Sequence, residues 1–167
     1  MKQKFDIIES TCVPLPLENI DTDQIIPARF LKATDKEGFG DNLFRDWRFN
    51  ADGSPKDFVL NDPTYSGEVL VVVSSFFADI HKQNELNNFV LPVVVSEKFL
   101  ASLFDSIKAD PAMKVRIDLP AQTITNLATG ETEQFDINGY KKYCLMNALD
   151  DIDFLVESKD KIEAYEK

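Results

Sequence analysis

Apolar and polar positions follow two recurrent periods along this chain of 167 residues. Val115, Ile117 and Leu119 alternate with polar neighbours, the pattern of a strand with one face in water. Residues 5–13 are rich in β-branched and aromatic side chains and stop at Pro14 and Pro16, which predicts a first strand. Residues 69–73, Val-Leu-Val-Val-Val, and residues 90–95 are nearly unbroken apolar runs of the kind that form buried strands. A helical period runs through Phe99, Leu100, Leu103, Phe104 and Ile107, and Ser96 stands where its N-cap belongs. Residues 78–88 read as a polar helix, and helices are also expected over 140–149 and 159–165. Residues 122–137 predict a hairpin turning at Ala128-Thr129-Gly130-Glu131.

Between the first strand and residue 69 the periods fade. Residues 17–24 read as a loop, and Pro27 is expected to open a short helix through Arg29, Phe30 and Leu31. Asp41 or Asn42 could cap a second short helix over 43–47. Residues 50–67, with Gly53, Pro55, Pro63 and Gly67, predict a long surface loop. Strands alternating with helices, plus one hairpin, give a single mixed α/β domain over 1–167. One stretch fits badly. Residues 69–77 contain no Gly, Pro, Asn or Asp to turn the chain. Two neighbouring parallel strands meeting there would need a crossover of about a dozen residues, and none is present.

Composition narrows the function classes. Apolar residues make up 44% of the chain, with 13 Phe and a single Trp, which suits a folded core. The net charge of −11 argues against nucleic acid and against an anionic membrane surface, since both need basic side chains. It does not argue against an anionic small substrate, which one or two local cations can hold. No apolar run approaches the ~18 residues of a membrane span, and no apolar stretch follows the basic first residues as in a secretory signal. The cytoplasm is therefore the expected compartment. Cys12 and Cys144 are expected to be free thiols packed in the interior.

Candidate chemistry is sparse. His81 is the only histidine, nothing near it resembles a nucleophile elbow, and a lone histidine on a polar helix reads as a surface residue. An iron–sulfur cluster takes three or four thiolates, so two distant cysteines cannot hold one. Asp21-Thr22-Asp23 could bind a hard cation or orient a substrate, but local chemistry favours an Asx turn or helix cap. Arg29 and Lys32 could hold a carboxylate from one helical face, although exposed cations are commonly just solvated.

Residues 19–32, Asn-Ile-Asp-Thr-Asp-Gln-Ile-Ile-Pro-Ala-Arg-Phe-Leu-Lys, closely resemble the opening signature of the small subunits of 3-isopropylmalate dehydratase, in the aconitase family. Gly38-Phe39-Gly40, Trp47-Arg48-Phe49, residues 75–80, 84–92 and 145–152 resemble later segments of that family in the same order. The resemblance implies a layered β/β/α swivelling domain with a mixed sheet. It implies a large-subunit partner, in a heterodimer or heterotetramer, that carries a [4Fe–4S] cluster; this chain itself would hold no cofactor and no metal. The implied reaction loses and regains water, turning 2-isopropylmalate into 3-isopropylmalate in leucine biosynthesis. The cluster's open iron would act as a Lewis acid on the leaving hydroxyl, and a small-subunit serine would take the proton beside a carboxylate. The implied substrate site draws on Arg29 as a carboxylate contact, with Asp21, Thr22, Asp23 and Lys32 on the same segment. A related hydro-lyase acting on citramalate or a homoaconitate-type acid is the alternative; the choice would rest partly on residues 28–34.

The chain departs from that pattern in three places. The family's Asn-Phe-Gly-x-Gly-Ser-Ser-Arg-Glu-His segment and the helix after it are absent between Val72 and Val73, where the crossover is wanting. The catalytic serine and a substrate arginine belong to that segment, so the catalytic residue of this chain is unassigned. The join marks either residues of the complete gene product that the 167-residue chain omits, the expected case, or a true deletion. A true deletion would leave an inactive binding domain, and a gene product of 18.9 kDa would establish it. Phe89 and Ala148 stand where the family usually has glycine, which bears on the backbone there.

Overall fold

A computed structural model describes residues 4–30, 42–65 and 70–159. In chain order these form β1 (Ile7–Thr11), α1 (Thr22–Ile25), a 3₁₀ turn (Ala28–Phe30), α2 (Arg45–Arg48) and two further 3₁₀ turns (Val59–Asn61 and Pro63–Tyr65). Then come β2 (Val71–Ser74), α3 (Asp79–Asn87), β3 (Leu91–Val94), α4 (Glu97–Ala109), β4 (Lys114–Asp118), β5 (Thr123–Asn126), β6 (Thr132–Gln134), α5 (Gly139–Asn147) and α6 (Asp151–Glu157). The chain divides into two compact units, residues 13–68 and the remainder.

The larger unit holds two sheets. β1-β4-β5-β6 is antiparallel throughout, and β2-β3 is a parallel pair. The mixture of strand directions expected from sequence is thus divided between two sheets. Register sets Ile117 opposite both Ile8 and Ile124, so the alternation in β4 puts Val115 and Ile117 inside and Lys114 and Arg116 outside. Among the described residues the buried hydrophobic cluster lies in this unit: Leu91 and Val93 of β3, Phe99, Leu103 and Ile107 of α4, Val115 and Ile117 of β4, Ile124 of β5, and Phe5 and Leu145.

Local chemistry explains the boundaries. The Ser96 hydroxyl accepts from the Phe99 N–H at 3.1 Å and donates to Glu133 at 2.7 Å, which starts α4 and ties it to β6. Gly130 closes the β5–β6 turn at φ 77°, a value suited to glycine. Asn126, fully buried, donates to the Ser106 hydroxyl at 2.9 Å and accepts from the Ala128 N–H at 3.0 Å. That satisfied polar pair inside the core is absent from the apolar pattern.

Residues 71–74 form one strand, each paired in register with β3 from Leu91 to Val94, and it runs through Val72–Val73 without a break. The passage to β3 is made by α3. α6 is a helix beyond those expected from sequence; an Asp150–Asp153 capping box begins it. The helix expected over 159–165 lies almost entirely outside the described residues.

Both sites of the glycine replacements are left-handed: Phe89 at φ 59° and Ala148 at φ 56°. Ala148 ends α5, with its N–H directed at the carbonyls of Cys144 and Leu145. A Cβ in that conformation costs about 1 kcal/mol. Ala148→Gly is therefore expected to stabilise the chain by about 1 kcal/mol in urea unfolding, and an unchanged or lower midpoint would contradict the strain.

Candidate functional site

The smaller unit, residues 13–68, carries the sequence candidates. Asp21 is the N-cap of α1: its carboxylate accepts from the Gln24 N–H at 2.9 Å, while the Gln24 side chain accepts from the Asp21 N–H at 2.9 Å. The signature segment expected to be a loop thus contains a short helix, and Asp21 is engaged in capping it. Thr22 is the first residue of that helix, and Asp23 lies exposed in its first turn. Lys32 lies outside the described residues.

Arg29 sits in the 3₁₀ turn after Pro27. Its guanidinium grips the Asp46 carboxylate with two parallel hydrogen bonds, one of 2.9 Å from Nη1 to Oδ2 and one from Nη2 to Oδ1. The pair is open to solvent, with the side chains 55% and 59% exposed. Arg29 holds the Asp46 carboxyl below the usual carboxylate range, and Asp46 in turn raises the Arg29 guanidinium.

α2 is fixed by its own side chains. Trp47 stacks on Phe44 at 5.4 Å and tilts against Phe58 at 5.8 Å. Arg48 donates through Nε to Asn61 at 3.1 Å, and Asn61 donates back to the Arg48 carbonyl at 2.6 Å. The helix begins at Arg45 after Phe44, which is left-handed at φ 49° and offers no side-chain cap; of the two expected caps Asn42 does not take that position, and Asp41 lies outside the described residues. The Phe44 ring packs against both Trp47 and Phe58.

Around Asp46 opens a groove of about 470 Å³ lined by Arg29, Arg45, Asp46, Phe49 and Lys56 among others. Lys56 Nζ donates to the Asp46 carbonyl at 2.7 Å, and the Arg45 guanidinium lies 4.3 Å from the Phe49 ring centre. Three cations against one carboxylate form a locally positive groove in a strongly acidic chain. Asp21, Thr22 and Asp23 do not line it. Arg45, Asp46 and Lys56 were missed from sequence; the resemblance of Trp47-Arg48-Phe49 pointed at this neighbourhood but not at them.

The larger unit places the remaining titratable candidates. His81 Nε2 lies 2.7 Å from Glu85 Oε1 on α3, and Phe77 stacks on the imidazole at 6.0 Å. The Glu85 side chain is only 10% exposed, and its Oε2 is buried with no hydrogen-bond partner among the described residues. Burial pushes the Glu85 carboxyl up to about 7 and the imidazole down, so both groups shift toward their neutral forms. The sequence placed His81 on a solvated face; three quarters of its side chain is covered. Cys12 and Cys144 are free, and burial raises the Cys12 thiol to about 11. No group of three or more His, Cys, Asp or Glu side chains among the described residues could hold a metal ion. The two cysteines of the full sequence are fewer than the three or four thiolates an iron–sulfur cluster takes. No helix among the described residues is long and apolar enough to cross a membrane.

Comparison with known proteins agrees with this architecture. Residues 2–76 match the aconitase C-terminal domain, and residues 101–139 match the family described as LeuD_N. The 3-isopropylmalate dehydratase small subunit of Cytophaga hutchinsonii is 53% identical over 191 aligned positions, which cover 99% of this chain and 95% of the relative. That of Azobacteroides pseudotrichonymphae is 50% identical over 192, covering 99% and 98%. A crystal structure of 3-isopropylmalate dehydratase from Methanocaldococcus jannaschii shares the fold, with a TM-score of 0.58 at 17% identity over 96% of this chain and 99% of that one. Fold and matches define a domain of the aconitase class. Within that class the chain belongs to the family of 3-isopropylmalate dehydratase small subunits, which are components of a hydro-lyase. The match to the Cytophaga relative spans 191 positions, 24 more than the 167 residues of this chain. At least that many positions inside the match therefore have no counterpart here.

Proposed function

We propose that this chain is the substrate-holding half of a two-chain hydro-lyase that isomerises 2-isopropylmalate to 3-isopropylmalate. What carries the reading is the near-full-length match to relatives named as small subunits of that enzyme. The cationic groove around Arg29 is the geometry that agrees with it, because a malate-type substrate presents two carboxylates and a bidentate guanidinium suits one of them.

In this reading a large subunit holds the [4Fe–4S] cluster, and the cluster supplies Lewis acidity toward the hydroxyl that leaves. Arg29 takes a substrate carboxylate. Asp21 keeps its capping role and shapes the segment that presents Arg29. The proton-abstracting serine and a further substrate arginine belong to a loop and helix inserted between Val72 and Val73. Two observations support an insertion, and the family resemblance sets its position: 24 or more positions of the aligned stretch are unmatched, and the apolar run over 69–77 holds no residue that turns the chain.

The test is assembly of the chain, with the relatives' segment restored, onto a cluster-loaded large subunit, followed by rate measurements on 2-isopropylmalate, citramalate and homocitrate. The highest kcat/KM is expected for 2-isopropylmalate. A preference for either other acid would move the chain to a related hydro-lyase, and silence toward all three would end the proposal.

A further inference from the structure

We propose that Asp46 stands in for a substrate carboxylate on Arg29, and that Arg45 and Lys56 complete a groove that takes a dicarboxylate when Asp46 yields. This rests on the reading of Arg29 as a carboxylate contact and adds the residues that occupy and flank it.

Three observations lead there. Both terminal nitrogens of Arg29 are engaged by both oxygens of Asp46, the same fork-on-fork geometry an incoming carboxylate would adopt. Asp46 is presented from a helix fixed by the Phe44–Trp47–Phe58 cluster and by the Arg48–Asn61 bonds, so the carboxylate position is built in. The pair is more than half exposed on both sides, and ion pairs in water hold weakly. A dissolved carboxylate can thus exchange with Asp46 without opening the interior.

The surroundings exceed what Asp46 needs. Lys56 already bonds the Asp46 backbone carbonyl, not its side chain. The Arg45 guanidinium lies over Phe49 and, among the described residues, has no carboxylate within ion-pair distance. Once Asp46 swings out, its charge can remain in solvent while two further cations face the groove. A monocarboxylate would only trade places with Asp46 on Arg29. A dicarboxylate would also gain Arg45 and Lys56, and that difference is the selectivity the groove provides.

A purely structural tie makes the opposite prediction. If Asp46 exists to lock the 3₁₀ turn to α2, its removal should loosen this unit and weaken anion binding. If Asp46 is a competitor, its removal should strengthen binding.

The experiment titrates the full 167-residue chain with succinate and with acetate, read through the fluorescence of Trp47, the only tryptophan and the next residue to Asp46. Asp46→Asn is expected to tighten succinate binding on the order of tenfold, with a smaller gain for acetate. Arg29→Gln in the Asp46→Asn background should abolish that gain. Unchanged or weaker succinate binding in a folded Asp46→Asn chain overturns the proposal. Should Asp46→Asn disturb Trp47 emission before ligand is added, Arg45→Gln decides: a loss of succinate affinity with acetate affinity kept supports the groove, and no change rejects it. Neither titration depends on turnover. Tightened succinate binding beside an inactive assembled enzyme would refute the isomerase reading and leave this one standing.

Discussion

Restoring the relatives' segment between Val72 and Val73 is expected to raise the turnover of 2-isopropylmalate at least about a thousandfold over the 167-residue chain, each paired with the same large subunit. A positioned general base is worth roughly 10²–10⁴ in rate. Loss of an arginine that steadies developing charge adds to that deficit. In the 167-residue chain β2 is one four-residue strand, all of it paired with β3. In the proposed reading, a restored loop and helix of about the size of the unmatched stretch would provide a crossover between two parallel strands. Val71 and Val72 would then end one strand, and Val73 and Ser74 would begin the next. The unsaturated diacid released on dehydration absorbs in the ultraviolet and reports the rate directly. Equal rates for the two chains would mean that the base lies elsewhere in the 167 residues.

Where the chemistry of a residue acts on its near neighbours, the sequence was readable. Ser96 caps the helix it precedes, Val115 and Ile117 face the core, and Gly130 turns the hairpin, each within a few residues of its cause. The short helix α1 escaped because it has no apolar period to follow, and its capping box, Asp21 with Gln24, was the only signal. α6 was legible, with Ile152, Leu155 and Val156 at helical spacing behind the Asp150–Asp153 box, and was overlooked. The glycine replacements were visible only through family resemblance, and both fall at positive φ. The groove is a different case. Arg29 and Asp46 are 17 residues apart, and nothing periodic connects them. Carboxylate and guanidinium meet there because the aromatic cluster fixes α2, and that cluster forms by contacts between Phe44, Trp47 and Phe58 which the apolar pattern of a surface loop does not announce. Glu85 was hidden for the same kind of reason: a polar helix face looks solvated until another layer covers it.

Glu85 has the largest expected effect on stability, and its sign is set by burial. Its carboxyl titrates near 7 in the folded chain against an ordinary value of 4.5. Below about pH 4.5 both states are protonated and the group is neutral to folding. As pH rises toward 7 the unfolded chain releases the proton while the folded chain keeps it, so stability falls. Above 7 the loss is complete, at about 3 kcal/mol. His81 works in the other direction, since its lowered imidazole favours the folded state as pH rises toward 6.5. The comparison is therefore between wild type and Glu85→Gln, which removes the carboxyl titration while retaining the His81 side chain; His81→Gln and the double variant separate the part of the slope that passes through the imidazole beside it. Urea unfolding from pH 5.5 to 8 is expected to show wild type losing about 2 kcal/mol relative to the variant. The buried amide of the variant lacks a full set of partners, which lowers its stability at every pH by about 1–2 kcal/mol. The slope, not the absolute value, is thus the diagnostic. Parallel curves would show that Oε2 reaches water or a hydrogen-bond donor, and that the carboxyl ionises as freely in the folded chain as in the unfolded one.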